Sequence, residues 1–313
     1  MVAVPVIDLA PVLASEPGAM ERTADAIDQA CLGTGFFVIV GHGVDQEMTA
    51  LYSTTRAFFD LPQGEKERTP RIERYGYVPA IGHALDRDRE SHLTEYMDLG
   101  MTDEVAVPAL MADEVRAYQR CMLPVAATLL AMMASRLGAS GDFFAVRMQR
   151  PQCRLRFLHY LPTPPDADGN LAVPTKPHTD YGALTLLATD GVPGLEVQPI
   201  GGEWEPVEAP AGSLIVNVGD MLARWTNDRY RSTPHRVLAS TTAHRVSIPF
   251  FVNPDPDTVV EPISSAITGS PRYQPIPAGD YLVARIDGTI EPYAGPAPSR
   301  PAVPGQLSRA TRP

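Results

Sequence analysis

Short apolar runs separated by glycine-containing turns fill the sequence from residue 181 to 251, and this pattern constrains the fold more than any other feature. Turns at residues 191–194, 201–202 and 211–212 leave runs that are too short for ordinary helices. The predicted strands are Tyr181–Thr189, Leu195–Gln198, Trp204–Pro206, Leu214–Val218, Arg231–Val237 and His244–Phe251. Many short strands joined by such turns are typical of a β-sandwich or barrel. We therefore expect a mainly β core.

The amino-terminal half mixes helices with a few strands, so the expected fold class is mixed α/β with helices flanking the β core. Apolar residues that recur with a helical period predict helices at Glu21–Gly33, Asp45–Phe59 and Asp113–Leu137. Apolar or alternating runs predict strands at Val4–Leu9, Phe36–Val40, Leu93–Leu99 and Cys153–Leu161.

These elements divide the chain into four predicted segments. Residues 1–110 form an α/β support region, and residues 111–150 carry a long helix that packs on the sheet. Residues 151–255 form the β core. Residues 256–313 form a carboxy-terminal extension that ends in a proline-rich tail from Ala294.

Composition limits the possible partners and compartment. The net charge of −11 argues against a nucleic-acid partner, because binding to phosphates needs a basic surface. Cys31, Cys121 and Cys153 lack metal-ligand spacing and are expected to be reduced thiols. The longest apolar run, Met122–Ala134, is too short to span a bilayer, and Asp8 interrupts any secretory signal. We expect a soluble, cytoplasmic protein without a nucleic-acid or membrane partner.

Two histidines and an aspartate are the candidate metal ligands. His178 and Asp180 are two residues apart at the entrance of a predicted strand, so both side chains are expected on one face. His235 follows Asp180 after 54 intervening residues, in another predicted strand. Two histidines and one carboxylate with the other positions open form the facial triad of non-haem Fe(II) oxygenases.

A candidate anion site follows the second histidine. Arg245 and Ser247 are two residues apart in the predicted strand HRVSIPFF, so the guanidinium and the hydroxyl share a face. A guanidinium fork beside a hydroxyl suits the carboxylate of a small acid.

In order, these residues read H-x-D-x(54)-H-x(9)-R-x-S. The chain here resembles the iron- and 2-oxoglutarate-dependent dioxygenases of the isopenicillin N synthase-like family. Four segments carry the resemblance: VPVIDLA at 4–10, GFFVIVGHGV at 35–44, PHTDYGALTLLATD at 177–190 and VNVGDMLARWTNDRYRSTPHRV at 216–237.

The resemblance implies a distorted double-stranded β-helix, or jelly roll, that binds Fe(II), 2-oxoglutarate and O2. Arg245 and Ser247 would hold the distal carboxylate of 2-oxoglutarate, and succinate and CO2 would be released. Tyr160 and Asn217 are further candidates for contact with 2-oxoglutarate, although Leu161 stands where the family often has proline after the tyrosine. The substrate would be a small molecule.

Seven residues are candidate substrate contacts. Some lie in a loop that covers the active-site mouth in the family, and the others lie on strands beside the site. They are Tyr75, Tyr77, His83, Arg87, Arg154, Arg156 and Phe251. Sequence alone does not decide whether Arg154 and Arg156 face inward; if they do, they favour an anionic or carbonyl-bearing substrate.

Several reactions are compatible with these residues. Hydroxylation of a C–H bond is the expected outcome, and desaturation, ring closure and epoxidation use the same ligands. An oxidase of the isopenicillin N synthase or aminocyclopropane carboxylate oxidase type would use Arg245 and Ser247 without 2-oxoglutarate. A zinc hydrolase with the same three ligands and a non-catalytic jelly-roll binding protein are also compatible with this sequence.

Overall fold

The computed structural model describes residues 4–72, 75–80, 93–101 and 107–290. In this part of the chain, a large and a small β-sheet enclose a barrel-like interior, and helices cover the outer face of the larger sheet. This architecture confirms the expected mainly β core with flanking amino-terminal helices.

The helices are α1 (Ala10–Leu13), α2 (Ala19–Gly33), α3 (Asp45–Phe59), α4 (Gln63–Lys66), α5 (Ala112–Arg136), α6 (Asp220–Trp225) and α7 (Ala278–Ile286). The strands are β1 (Val6–Asp8), β2 (Phe36–Val40), β3 (Gly76–Val78), β4 (Thr94–Gly100), β5 (Arg154–Tyr160), β6 (Thr175–His178), β7 (Leu184–Thr189), β8 (Leu195–Val197), β9 (Glu205–Pro206), β10 (Leu214–Val218), β11 (His235–Val237), β12 (Arg245–Val252), β13 (Val259–Val260) and β14 (Ile276–Pro277).

Eight strands form the larger sheet, in the order β1-β2-β10-β7-β12-β5-β4-β3. Its neighbouring strands are antiparallel except for β1 and β2, which are parallel. The smaller sheet has the order β6-β11-β8-β9 and is antiparallel throughout. The order brings β10, β7, β12 and β5 together, although they are far apart in sequence.

Side chains alternate between the two faces of the larger sheet, as the pleat requires. On β5, Leu155 and Phe157 pack into the core that contains the helices. Leu158 and Tyr160 point to the opposite face and join a second apolar cluster with strands of the smaller sheet. The sheet therefore has a helix-facing side and an inner side, and any site between the two sheets is built from inner-side residues.

The long helix α5 packs against α2 and α3, and its buried residues join the same core as the helix-facing side of the sheet. Burial of apolar residues at i, i+3 and i+4 along α5, including Met122, Leu129 and Met133, explains this docking. Within the described ranges no helix is both long and apolar enough to cross a membrane.

The segment from residue 256 is more structured than its proline content indicated. Strands β13 and β14 pair with each other, and α7 follows them directly. The predicted tail from Ala294 lies outside the described residues. The division of the chain into four segments stays a prediction.

A buried polar cluster ties α4 to the helix-facing side of the sheet. Glu95 accepts hydrogen bonds from Lys66 Nζ at 2.7 Å and Tyr77 Oη at 2.5 Å, and its other oxygen lies 2.7 Å from His159 Nδ1. Tyr77 is only 5% exposed and lies on the face opposite the inner side. The interpretation of Tyr77 as a substrate contact is therefore wrong.

Replacing Glu95 by Gln would leave the Lys66 ammonium buried without its carboxylate. We expect the free energy of unfolding to fall by about 3–5 kcal/mol, the usual cost of removing one partner of a buried ion pair. Urea denaturation at pH 7 measures the change. Adding Lys66→Met removes the stranded charge and should recover most of the loss, so a double variant as unstable as the single one would contradict this explanation.

The same carboxylate gives the unfolding free energy a pH dependence. Burial raises the pKa of Glu95, but the bonds from His159, Lys66 and Tyr77 lower it by more, so the net pKa is below its ordinary value. Its stabilising contribution is therefore present above the unfolded pKa and is lost as the pH falls through the folded pKa. Below that range the difference between the wild type and Glu95→Gln should shrink.

Candidate metal centre

His178, Asp180 and His235 lie together at the small-sheet side of the barrel. One possible ligand atom from each residue lies within 4.8 Å of the other two. Asp180 Oδ1 is 3.9 Å from His178 Nε2 and 3.8 Å from His235 Nε2. The pairing of β6 with β11 places the two histidines directly opposite each other, which explains why residues so distant in sequence meet. Two imidazoles and one carboxylate at this spacing suit a divalent transition metal.

Both imidazoles are oriented by their own backbone. His178 Nδ1 lies 2.8 Å from the carbonyl of Lys176, and His235 Nδ1 lies 3.2 Å from the carbonyl of Thr233. An Nδ1–H that donates to a carbonyl leaves Nε2 with its lone pair free for a metal. Burial, together with the neighbouring His178, lowers the pKa of His235 to about 4. The His235 imidazole is therefore neutral at pH 7, the form that binds metals.

Two neighbouring strands hold the second oxygen of Asp180. Thr185 Oγ1 on β7 donates to Asp180 Oδ2 at 2.5 Å, and Asn217 Nδ2 on β10 donates to the same oxygen at 2.7 Å. Burial raises the pKa of Asp180, but the two imidazoles and these two donors lower it by more. The carboxylate is therefore ionised, with Oδ1 directed at the histidines. Asn217 supports a ligand in this way, and its contact with 2-oxoglutarate stays a prediction.

The two closely spaced candidate ligands do not share a strand. His178 is the last residue of β6, whereas Asp180 lies in the connection that precedes β7 at Leu184. The expectation that strand alternation brings the side chains to one face is therefore wrong in its reason. A separate set of contacts must hold the Asp180 loop in place.

The start of α6 holds that loop through its backbone. The Asp220 N–H donates to the Asp180 carbonyl at 2.7 Å, and the Met221 N–H donates to the Gly182 carbonyl at 3.0 Å. The two segments approach so closely that a Cβ at Gly219 would lie 2.3 Å from the Gly182 oxygen. Glycine is required at this contact because any side chain would push the loop away.

An ion pair from the last helix reinforces the same contact. Arg285 on α7 donates to Asp220 Oδ2 at 2.8 Å, and both side chains are at most 4% exposed. The Arg285 guanidinium also lies 4.5 Å from the centroid of the Tyr181 ring, one residue after Asp180. Sequence reasoning missed this pair, since 65 positions separate Asp220 from Arg285 and no local pattern links them.

The candidate anion site lies on the inner side of β12. Arg245 is 2% exposed, its Nε donates to the Val192 carbonyl at 3.1 Å, and its guanidinium lies 5.0 Å from the Tyr160 ring centroid. Its Nη1 is buried and has no hydrogen-bond partner among the described residues. Ser247, two residues along the strand, is 1% exposed. The Tyr160 hydroxyl is 3.2 Å from Thr175 Oγ1.

The candidate substrate contacts divide into three groups. Arg154 and Arg156 occupy the same side of β5 as Tyr160, so they face inward, and Phe251 lies opposite Arg154 on β12. Tyr75 lies near them, with its ring centroid 6.0 Å from the Arg154 guanidinium. Tyr77 faces the helices instead. The remaining two, His83 and Arg87, lie outside the described residues.

Replacing Arg285 by Met should weaken metal binding by about tenfold or more, the usual effect of losing an outer contact that orients a ligand. The reason is that the Asp180 loop loses the ion pair that fixes its support. Calorimetric titration with Co(II), together with a thermal unfolding curve, measures the effect.

Arg136→Met is the control for the loss of an arginine ion pair, because Arg136 pairs with Asp25 at 2.8 Å on other elements, where the two side chains are 27% and 71% exposed. It should leave the affinity for Co(II) unchanged. Equal losses in the two variants would show a general loss of stability instead of a local effect on the loop.

Comparisons with known proteins agree with this geometry. The family model of the 2OG-Fe(II) oxygenase superfamily matches residues 151–254. A second family model, described as "non-haem dioxygenase in morphine synthesis N-terminal", matches residues 4–119. A 2-oxoglutarate-Fe(II) type oxidoreductase from Aspergillus fumigatus is 30% identical over 319 residues, which cover 92% of this chain and 93% of the relative. A homoarginine-6-hydroxylase from Glycine max is 30% identical over 90% of this chain and 96% of the relative.

A solved structure shows the same fold. A full-length Neurospora crassa protein, crystallised in complex with alpha-KG, superposes with a TM-score of 0.78 at 26% identity, covering 91% of this chain and 96% of that chain. Its fold, the double-stranded β-helix, is the one that the sequence motifs predicted. The chain therefore belongs to the 2-oxoglutarate-Fe(II) oxygenase superfamily, and it is an Fe(II)- and 2-oxoglutarate-dependent dioxygenase that acts on a small metabolite.

Proposed function

We propose that this dioxygenase hydroxylates a C–H bond of its substrate, with iron held by His178, Asp180 and His235. The observation that carries the proposal is the convergence of their three ligand atoms within 4.8 Å, on residues whose other polar atoms are already bonded. A site with these oriented donors is prepared for one metal ion and leaves coordination positions open for other ligands.

We also propose that Arg245 and Ser247 hold the distal carboxylate of 2-oxoglutarate. A buried guanidinium with an unbonded nitrogen is costly, and a carboxylate supplies both the missing charge and the missing acceptor. Tyr160 lies against this guanidinium and would complete the pocket. The residues present therefore fit the cosubstrate that the family uses.

Iron and 2-oxoglutarate, when bound with O2, supply the oxidising chemistry that the protein side chains cannot provide. The protein orients and shields this chemistry. Phe36 packs edge-on against His235 at 5.5 Å between ring centroids, and Val38 and Ile215 continue the apolar wall. Such a wall keeps water away from the reacting atoms.

Hydroxylation is proposed over desaturation, ring closure and epoxidation because one relative that matches nearly the whole chain is named a hydroxylase. The zinc hydrolase and the non-catalytic binding protein, which the sequence alone left open, gain no support from the family match. The oxidase that does not use 2-oxoglutarate is not favoured either.

We propose that the enzyme works in the cytoplasm without a nucleic-acid or membrane partner. The three cysteines are free thiols, and burial raises the pKa of Cys31 and Cys153, so neither is a reactive thiolate. The net charge of −11 opposes binding to polyanions such as nucleic acids.

Replacing Arg245 by Gln should raise the KM for 2-oxoglutarate by about tenfold or more, because a charge-assisted bond contributes about 1.5–3 kcal/mol. Succinate formation at varied 2-oxoglutarate concentrations gives this value, and Co(II) affinity should not change. Arg236→Gln is the control, since Arg236 pairs with Glu196 at 2.7 Å and follows His235 directly. A KM that does not move in Arg245→Gln would contradict the assignment.

Product and succinate should form in a one-to-one ratio once a substrate is found, because each hydroxylation consumes one 2-oxoglutarate. Parallel quantification of both compounds by chromatography measures the ratio. Product formed without 2-oxoglutarate, and without succinate, would instead establish an oxidase that does not need this cosubstrate.

A further inference from the structure

Two arginines on the inner side of the barrel share one aspartate. Asp98 on β4 pairs across the sheet with Arg156 on β5 and accepts from its Nε at 2.6 Å and its Nη2 at 2.9 Å. Arg154 Nη2 donates to the same Oδ2 of Asp98. Asp98 is 1% exposed, whereas the side chains of Arg154 and Arg156 remain 23% and 29% exposed. The cluster is thus anchored in the sheet and still reaches open space.

The cluster carries a net positive charge. Burial lowers the pKa of Arg156, but its bonds to Asp98 raise it by more, so the guanidinium remains charged. One carboxylate compensates one of the two guanidinium groups. The Nε of Arg154 is buried and has no partner among the described residues. One arginine would be enough to neutralise the buried Asp98 carboxylate. The second arginine therefore provides a positive charge and an N–H donor that can bind another anion.

Sheet register relates this cluster to the metal centre. Thr185, which donates to the metal-site residue Asp180, lies opposite Phe251 on β12. Phe251 in turn lies opposite Arg154 on β5, and its ring centroid is 6.0 Å from the Arg156 guanidinium. The strands β7, β12 and β5 are thus neighbours in this order. Thr185 on β7, Phe251 on β12 and the two arginines on β5 all lie on the inner side.

Aromatic rings flank the arginines. The Arg156 guanidinium lies 4.9 Å from the Tyr96 ring centroid, and the Arg154 guanidinium lies 6.0 Å from that of Tyr75. With Phe251, these rings offer apolar faces directly beside the uncompensated charge. Flat apolar faces next to a guanidinium suit a planar unsaturated body that ends in a carboxylate.

We propose that Arg154 and Arg156 form a subsite for the carboxylate of the substrate, whose planar body lies against Phe251 and Tyr96. The substrate class is a small aromatic or unsaturated carboxylic acid with one negative charge. This inference rests on the proposed position of the iron. The carboxylate of the substrate would be held at the arginines, and the reacting carbon would lie beyond Phe251, on the side of Asp180. The subsite is distinct from the 2-oxoglutarate position, because Arg245 pairs with Tyr160, four residues along β5 from Arg156.

The test uses the holoenzyme with Fe(II) and saturating 2-oxoglutarate under anaerobic conditions. The probes are phenylacetate and cinnamate, each compared with its neutral amide, phenylacetamide and cinnamamide, by isothermal titration calorimetry. We expect at least one acid to bind about tenfold more tightly than its amide. Saturating 2-oxoglutarate keeps the acids from occupying the Arg245 position.

Arg156→Gln and Arg154→Gln should each abolish this preference, because either change reduces the net charge of the cluster to zero. Two variants guard against one that fails to fold. Arg150→Gln is the matched control, since Arg150 is 76% exposed and pairs with the exposed Asp257 at 3.6 Å. The control should keep the wild-type preference for the acid.

Equal binding of each acid and its amide to the wild type would overturn the proposal. A preference for the acid that survives in both folded Gln variants would also overturn it. The visible charge-transfer band of the anaerobic Fe(II)-2-oxoglutarate enzyme separates this failure from a failure of the proposed metal and cosubstrate sites. If the band forms and the preference is absent, only the subsite is wrong; if the band never forms, the proposed iron and 2-oxoglutarate sites are wrong.

Discussion

The hydrogen bonds to one oxygen of Asp180 are the interaction on which the rest of the site depends. Thr185 and Asn217 donate to it from adjacent strands that pair directly with each other. A shift of one residue in this pairing would turn one of the two donors to the helix-facing side, because successive side chains alternate. The register of β7 against β10 therefore decides which carboxylate oxygen faces the two histidines.

Charge is distributed unevenly between the exterior and the interior. The chain as a whole carries a net charge of −11. The inner side of the large sheet nevertheless carries three arginines, Arg245, Arg154 and Arg156. Asp98 pairs with Arg154 and Arg156 but not with Arg245. In an interior of low dielectric such charges act over longer distances than on the surface. The inner side of the large sheet is thus locally basic in a protein whose net charge is acidic.

Sequence reasoning predicted the parts of the molecule that local patterns encode. Strand β2 and helix α3 begin and end where their apolar patterns indicated, and spacing and residue type picked out the three candidate metal ligands that the structure brings together. The pattern could not show that Asp180 lies in a loop, because its position depends on contacts with α6. Thr185 was identifiable only with the strand register in hand. Tyr77 was assigned to a loop, whereas it lies on β3, and the pairing of β3 with β4 turns its side chain toward the helices.

The contact between Arg285 and Asp220 has a consequence for how the protein is made. Asp180 and the strands around it leave the ribosome well before residue 285, so the support of the Asp180 loop is incomplete while α7 is still being synthesised. Domains tend to fold as units during synthesis, from the amino terminus onward. The support of the Asp180 loop is therefore complete only after α7 has been synthesised and has packed against the start of α6.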